Sequence, residues 1–131
     1  QLVVQIGAVL PPALDPTLYK IFAVCASGIS EQEVEKAIYL ELDKIINEGV
    51  SEQELQKVKN IKLMSFYRAM ETIAGKSNTI GRYEIFFGGY KKLFNAPEEY
   101  NKVTAADIQR VAKTYFHKNN RTVGILKKEE K

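Results

Sequence analysis

The stretch LYKIFAVCASGISEQEVEK, running from Leu18 to Lys36, decides the fold. Leu18 to Ala26 is apolar at nearly every position and rich in β-branched and aromatic residues. That reads as a strand covered on both faces, and so central in a sheet. Gly28 breaks it. Ser30-Glu31-Gln32-Glu33 is then a capping box, in which the Ser30 hydroxyl accepts from the Glu33 amide and the Glu33 carboxylate from the Ser30 amide. Val34, Ile38, Leu42 and Ile45 follow at helical spacing. Gly49 ends the helix where a left-handed residue is wanted. A strand that feeds straight into an amphipathic helix implies a layer of sheet against a layer of helix.

Towards the N-terminus, Gln1 to Leu10 alternates. Leu2, Val4, Ile6, Ala8 and Leu10 share one face; Val3, Gln5, Gly7 and Val9 share the other. Period two predicts a strand with one wholly apolar face. Pro11-Pro12 cannot donate to a ladder and ends it, and Asp15-Pro16 closes a turn-rich loop. The two strands are expected to pair antiparallel.

Towards the C-terminus, GVSEQELQK (Gly49–Lys57) nearly repeats GISEQEVEK (Gly28–Lys36). The match occurs once and fits no solenoid period, so it reads as two helices begun by the same local rule. The second helix carries Leu55, Val58, Ile61, Met64, Ala69 and Ile73. Its short connection predicts that it turns back against the first. Lys76 to Tyr90 places Ile80, Tyr83, Phe87 and Tyr90 at helical spacing, and Gly88-Gly89 loosens the end. Asn95-Ala96-Pro97-Glu98-Glu99 starts a short helix, since proline suits the first turn and acids suit the helix dipole. Thr104 caps a further helix with Ile108, Val111, Ala112, Tyr115 and Phe116 inward, stopped by Asn119-Asn120. Arg121 to Leu126 (RTVGIL) reads as a last strand rejoining the sheet, and Lys127 to Lys131 as a solvated charged tail. The fold class is therefore α+β: a mixed or antiparallel sheet packed against several helices in two layers, with residues 1–131 a single domain.

Composition narrows the chemistry. The chain has 131 residues and a net charge of +3, with lysines interleaved with glutamates, so no basic patch argues for nucleic acid. No run of about 18 apolar residues exists to cross a membrane. An opening Gln1 rather than Met is expected of a processed product or a piece of a longer protein, and the compartment cannot be read. One cysteine excludes an intrachain disulfide and a cysteine-based zinc cluster. One histidine excludes every metal site that needs two.

The individual candidates read as structural. His117 follows a helix C-terminus, where a cation is favourable. Cys25 lies in the most apolar strand and reads as a buried, inert thiol. The pairs Glu31/Glu33, Glu52/Glu54 and Glu98/Glu99 each fall in a first helical turn, where capping and dipole compensation account for them. Gly75, Gly81, Gly88 and Gly89 have no preceding strand and no following Gly-Lys-Ser/Thr, so they form no phosphate loop. Arg68, Arg82 and Arg110 read as surface pairing or packing. The aromatic stripe Tyr83, Phe86, Phe87, Tyr90, Phe94 and Tyr100 reads as core filling rather than a ligand cage.

The order of these segments resembles the C-terminal part of a domain of the insulinase/pitrilysin family of zinc metallopeptidases, from about Leu14 to Leu126. GVSEQEL (Gly49–Leu55), Lys59-Asn60, VTAADI (Val103–Ile108) and NRTV (Asn120–Val123) carry the resemblance by their order and spacing. It implies a unit of the insulinase-like metallohydrolase fold, truncated at its N-terminal end. Such proteins are built from repeated α/β domains that close around a chamber holding an unfolded peptide. The family's zinc sits on an inverted His-x-x-Glu-His motif in an N-terminal-type domain, and a C-terminal-type domain supplies an Arg and a Tyr that steady the substrate carbonyl.

This sequence contains no His-x-x-Glu-His, and the family's Arg–Tyr stretch would precede Gln1. No catalytic, cofactor-binding or metal residue is therefore carried over; only the helix caps Ser51 and Thr104 and the strand around Val123 are. The resemblance implies a non-catalytic piece, inactive alone, with zinc held elsewhere in the parent. Its expected partners are the rest of the parent or a catalytic subunit, peptide substrate in that parent, and a second copy through an open strand edge. The runner-up is a piece of a zinc-free family member that serves as a partner or assembly subunit.

Overall fold

The computed structural model describes residues 1–127. Its α+β architecture is one antiparallel hairpin, β1 (Val3–Val9) and β2 (Lys20–Cys25), followed by helices α1 (Glu31–Glu48), α2 (Glu52–Ala69), α3 (Ile73–Phe87), α4 (Ala96–Lys102) and α5 (Ala105–Tyr115), with 3-10 turns at Tyr90–Asn95 and Lys118–Asn120. Of the expected charged tail only Lys127 lies within the described residues.

The hairpin forms as its period-two pattern predicts, with one change of phase. Val3 faces Cys25 and Gln5 faces Val24, so β1 spends two steps against one on β2 and Val4 is an extra residue, a bulge. Beyond it Ile6 pairs with Ala23 and Ala8 with Ile21. The side chains turned to α1 are thus Leu2, Val3, Ile6 and Ala8, not Leu2, Val4, Ile6, Ala8 and Leu10 as strict alternation implies. On the outer face Gly7 lies opposite Phe22, whose ring occupies the space a Cβ would take: that atom would sit 2.5 Å from Phe22 Cζ.

Strand β2 is not covered on both faces. Ile21, Ala23 and Cys25 are half-buried towards α1, while Lys20, Phe22 and Val24 are exposed. RTVGIL is not a strand either. Residues 121–127 form no ladder and run along α1 instead, where the Arg121 guanidinium carbon lies 3.5 Å from the Tyr39 ring centroid and Lys127 Nζ lies 3.3 Å from Glu31 Oε2. Cation–π attraction and the ion pair fix this segment to the helix. Among the described residues the sheet therefore has two strands, and β2 is not central in it.

The caps behave as their sequence dictates. Ser51 and Thr104 each form a complete capping box, with Glu54 and Asp107 respectively. At α1 only half of the box forms: Ser30 Oγ accepts from Glu33 N at 3.3 Å. Gly49 takes a φ of 79° and its amide donates to the Ile45 carbonyl, which closes α1. Helix α2 does not fold back along α1. It packs on α3 and α4, and Lys59 Nζ donates to the Asn101 carbonyl at 2.8 Å, while α1 packs on α5 and β2. Gln109 Nε2 explains the preference, donating to the Ile46 and Asn47 carbonyls at 3.0 and 3.3 Å. Ile73 begins α3 rather than ending α2, because Thr72 caps a new helix by accepting from the Gly75 amide at 3.0 Å.

Burial is thin. Val34, Leu55, Leu93, Ala96 and Ala112 form the buried apolar core among the described residues. Of the helix-α5 residues expected inward, Ala112 is buried, Ile108 and Phe116 are half-buried, and Val111 and Tyr115 are exposed. Side chains such as Val111 and Tyr115 therefore reach solvent on a helix whose main packing is against α1.

With so little core, local terms weigh heavily. Ser51→Ala and Thr104→Ala should each lower stability by ~0.5–2 kcal/mol. Glu52→Gln, outside the box, should shift the denaturant midpoint far less. Gly75→Ala should be the most damaging of the four, because its Cβ would run into the Ala69 carbonyl oxygen. A denaturation series that ranks Glu52→Gln above Ser51→Ala contradicts this account.

Candidate functional site

Two apolar clefts mark the surface. The first lies between the hairpin and α1. Ile6, Ala8 and Ile21 form its sheet wall, Val34, Ile38 and Ile45 its helix wall, and its volume is about 430 Å³. It exists because α1 lies over β2 and leaves β1 overhanging: Ile6 remains 57% exposed although it faces the helix layer. The second is formed by Tyr67 and Met70 at the end of α2, Lys76 and Ile80 on α3, and Leu93 and Phe94 in the 3-10 turn.

Neither cleft gathers catalytic groups. Glu41 is the one ionisable acid along the first, and Lys76 is the charged residue on the second. His117 is exposed and caps the 3-10 turn, its carbonyl accepting from the Asn120 amide at 3.0 Å. Cys25 is half-buried opposite Val3, less enclosed than the apolar strand implied. The first-turn acids are spread over three helices. Glu54 closes its capping box, Glu99 pairs with Lys102 at 2.6 Å, and Glu31 pairs with Lys127. Asp107 holds Arg110 at 3.3 Å, while Arg68 and Arg82 are exposed.

Among the described residues no three His, Cys, Asp or Glu side chains come together as metal ligands. A zinc hydrolase centre needs three such ligands with an open position for water. This donor set does not fit that group.

The aromatic stripe is not core. Phe87 is 47%, Tyr90 45% and Phe94 73% exposed, while Tyr83, Phe86 and Tyr100 are half-buried. Tyr83 stacks on Phe87 with centroids 4.8 Å apart, and Tyr100 meets Phe66 edge-on at 6.3 Å. Burial, then the neighbouring Tyr100 hydroxyl, pushes the Tyr83 phenol up to about 12. Tyr83 therefore stays neutral and can donate or accept a hydrogen bond, but supplies no base near neutrality. The Tyr83–Tyr100 juxtaposition has no signature in the sequence, because the two residues sit on separate helices.

No model of a known protein family matches the chain, and no curated protein matches it in sequence. The fold does have counterparts among solved structures. A protease from Helicobacter pylori superposes on 91% of this chain with a TM-score of 0.81 at 19% identity, and the chain spans 29% of that protein. The inactive peptidase domain of a putative zinc protease from Bordetella parapertussis superposes on 98% with a TM-score of 0.77 at 18% identity, and the chain spans 71% of it. The likeness is one of fold.

The two complete capping boxes make stability depend on acid. The Thr104 hydroxyl first, and its amide second, hold the Asp107 carboxyl below its ordinary range. The Ser51 amide, then its hydroxyl, do the same for Glu54. Both folded values lie below the unfolded ones. The stabilisation is therefore complete above the ordinary carboxylate range and is lost as the pH falls through the depressed values. The melting temperature should drop on acidification, and a Ser51→Ala/Thr104→Ala double variant should show a shallower drop. Parallel melting curves of the two proteins across that range would contradict it.

Proposed function

We propose that this chain is a non-catalytic α+β unit of an insulinase-type zinc peptidase, forming part of the wall of the chamber in which the remainder of that protein hydrolyses peptides. The observation that carries the reading is the shared fold over 98% of the chain with an inactive peptidase domain of a putative zinc protease. The longer Helicobacter pylori protease, of which this chain spans 29%, supports a place within a larger protein. Zinc belongs, in this reading, to a different domain of the parent. When bound there it supplies an activated water and a Lewis acid for the carbonyl. The residues of this chain build a surface: α1 and the hairpin offer one apolar cleft, and α2, α3 and the Tyr90–Asn95 turn the other. The partners are accordingly the rest of the parent and the peptide it encloses.

A second reading rests on the word inactive in the description of the Bordetella parapertussis domain. A unit of this fold can belong to a family member without zinc that serves as a partner or assembly subunit. Both readings give this chain the same structural part and differ only in what surrounds it.

The purified chain should retain less than stoichiometric zinc after dialysis and should leave an unfolded casein substrate intact, with or without added zinc. Stoichiometric zinc lost on His117→Ala, or casein cleavage abolished by a chelator, overturns the non-catalytic assignment. Hydrolysis by the full-length parent that disappears with the chelator favours the peptidase; an inert parent favours the assembly subunit.

A further inference from the structure

Charge divides this molecule in two. Gln1 to Gln56, comprising the hairpin, α1 and the start of α2, carries nine acids against three lysines. Lys57 to Phe94, the rest of α2 with α3 and the Tyr90–Asn95 turn, carries eight lysines and arginines against two acids. The even mixing expected from the sequence therefore does not hold on the fold. Among the described residues none of these eight cations meets a carboxylate within ion-pair distance. Seven are exposed, and Lys59 is half-buried on the Asn101 carbonyl. Of the two acids, Glu84 already accepts from the Tyr90 amide at 2.9 Å, which leaves Glu71.

The second apolar cleft opens on this basic face. Tyr67, Met70, Ile80, Leu93 and Phe94 line it together with the exposed Lys76, around a volume of about 430 Å³. Arg68 follows Tyr67 on α2, Lys76 is on α3, and Lys91 and Lys92 precede Leu93 in the turn, so every element that forms the cleft brings a cation. What can cover such a face is constrained by its charge. Lysine is depleted from the cores of protein interfaces, and an unpaired charge taken out of water is costly. A neutral surface of a surrounding protein is therefore a poor cover here. The stretch Gln1–Leu14, which has no charged residue, is where such a surface fits.

We propose that the α2–α3 cleft binds an acidic, extended polypeptide. An apolar side chain of that peptide enters between Ile80, Leu93 and Phe94. Carboxylates two places to either side, on the same face of an extended chain, meet the cations of Arg68, Lys76 and Lys91. A nucleic acid is also anionic, but the aliphatic walls of Met70, Ile80 and Leu93 suit an apolar side chain better than a stacked base. As a statement about substrate the inference rests on the peptidase reading; as a binding site it does not.

Fluorescence anisotropy on the chain and on its full-length parent tests it, with a labelled peptide of Glu-Gly-Leu-Gly repeats, its Gln-Gly-Leu-Gly counterpart and an oligothymidylate of equal charge. Both proteins should bind the glutamate peptide, more weakly as salt rises, and leave the glutamine peptide free. Lys76→Glu should weaken binding about five-fold, and Phe94→Ala should weaken it with the circular dichroism spectrum unchanged. Lys20→Glu makes the same change of net charge on β2 and should have no effect. Equal affinity for the two peptides overturns the proposal, as does an equal loss in Lys20→Glu and Lys76→Glu. Tighter binding of the oligothymidylate overturns it in favour of nucleic acid. Binding by the chain but not by the parent also overturns it, since the rest of the parent then occupies the cleft. A parent that binds the peptide yet hydrolyses nothing sustains the cleft and removes only the peptidase reading.

Discussion

A single carboxamide holds the C-terminus of α1. Gln109 donates to the Ile46 and Asn47 carbonyls, two of the groups a helix leaves without partners at its end. The same contact brings α5 alongside and seats Ala112 at 1% exposure. The rest of this side of the molecule is built on α1: β2 rests on its apolar stripe, and the extended residues 121–127 are tied to it by Arg121 and Lys127. The hairpin touches the helical part of the chain chiefly through this one element, so its position is as good as the anchoring of α1.

The second group of helices is assembled differently. Helix α2 leaves α1 after Gly49, Val50 and Ser51 and packs on α3 and α4, with Lys59 reaching the Asn101 carbonyl. Leu93 and Ala96, both buried, lie where the Tyr90–Asn95 turn passes into α4. Native stability is a small difference between large terms. Here the apolar side of that difference is small, so helix termini carry an unusual share. The two full capping boxes and the Thr72 cap act locally and need no distant partner.

That division explains what could be read in the sequence. Ser51, Thr104 and Gly49 were legible because a cap satisfies groups within four residues of itself. The hairpin was legible through its period-two pattern. The place of RTVGIL was not, since strand membership is settled by a partner far away in the chain, and Arg121 and Lys127 found theirs on α1 instead. Nor was the packing of α1 on α5: nothing in Gln109 announces a bond to residues more than sixty positions earlier. At the site, one His and one Cys exclude a zinc centre that needs two histidines or a cysteine cluster, which is a matter of counting. The exposure of Phe87, Tyr90 and Phe94 was illegible, because aromatic residues at helical spacing look the same whether they fill a core or cover an open cleft.

The extra residue at Val4 has a further meaning for how this strand can change over time. Leu2, Val3 and Val4 are all apolar, so either frame of the alternation places an apolar side chain over α1. In most half-buried strands the gain or loss of a single codon flips every later side chain to the wrong face. Here a one-residue deletion before Gln5 would remove the bulge and leave Ile6, Ala8 and their cross-strand partners in place. The hairpin is thus buffered against a one-residue deletion at its N-terminal end. Relatives should differ in length there more freely than between Gln5 and Val9, where no second frame exists.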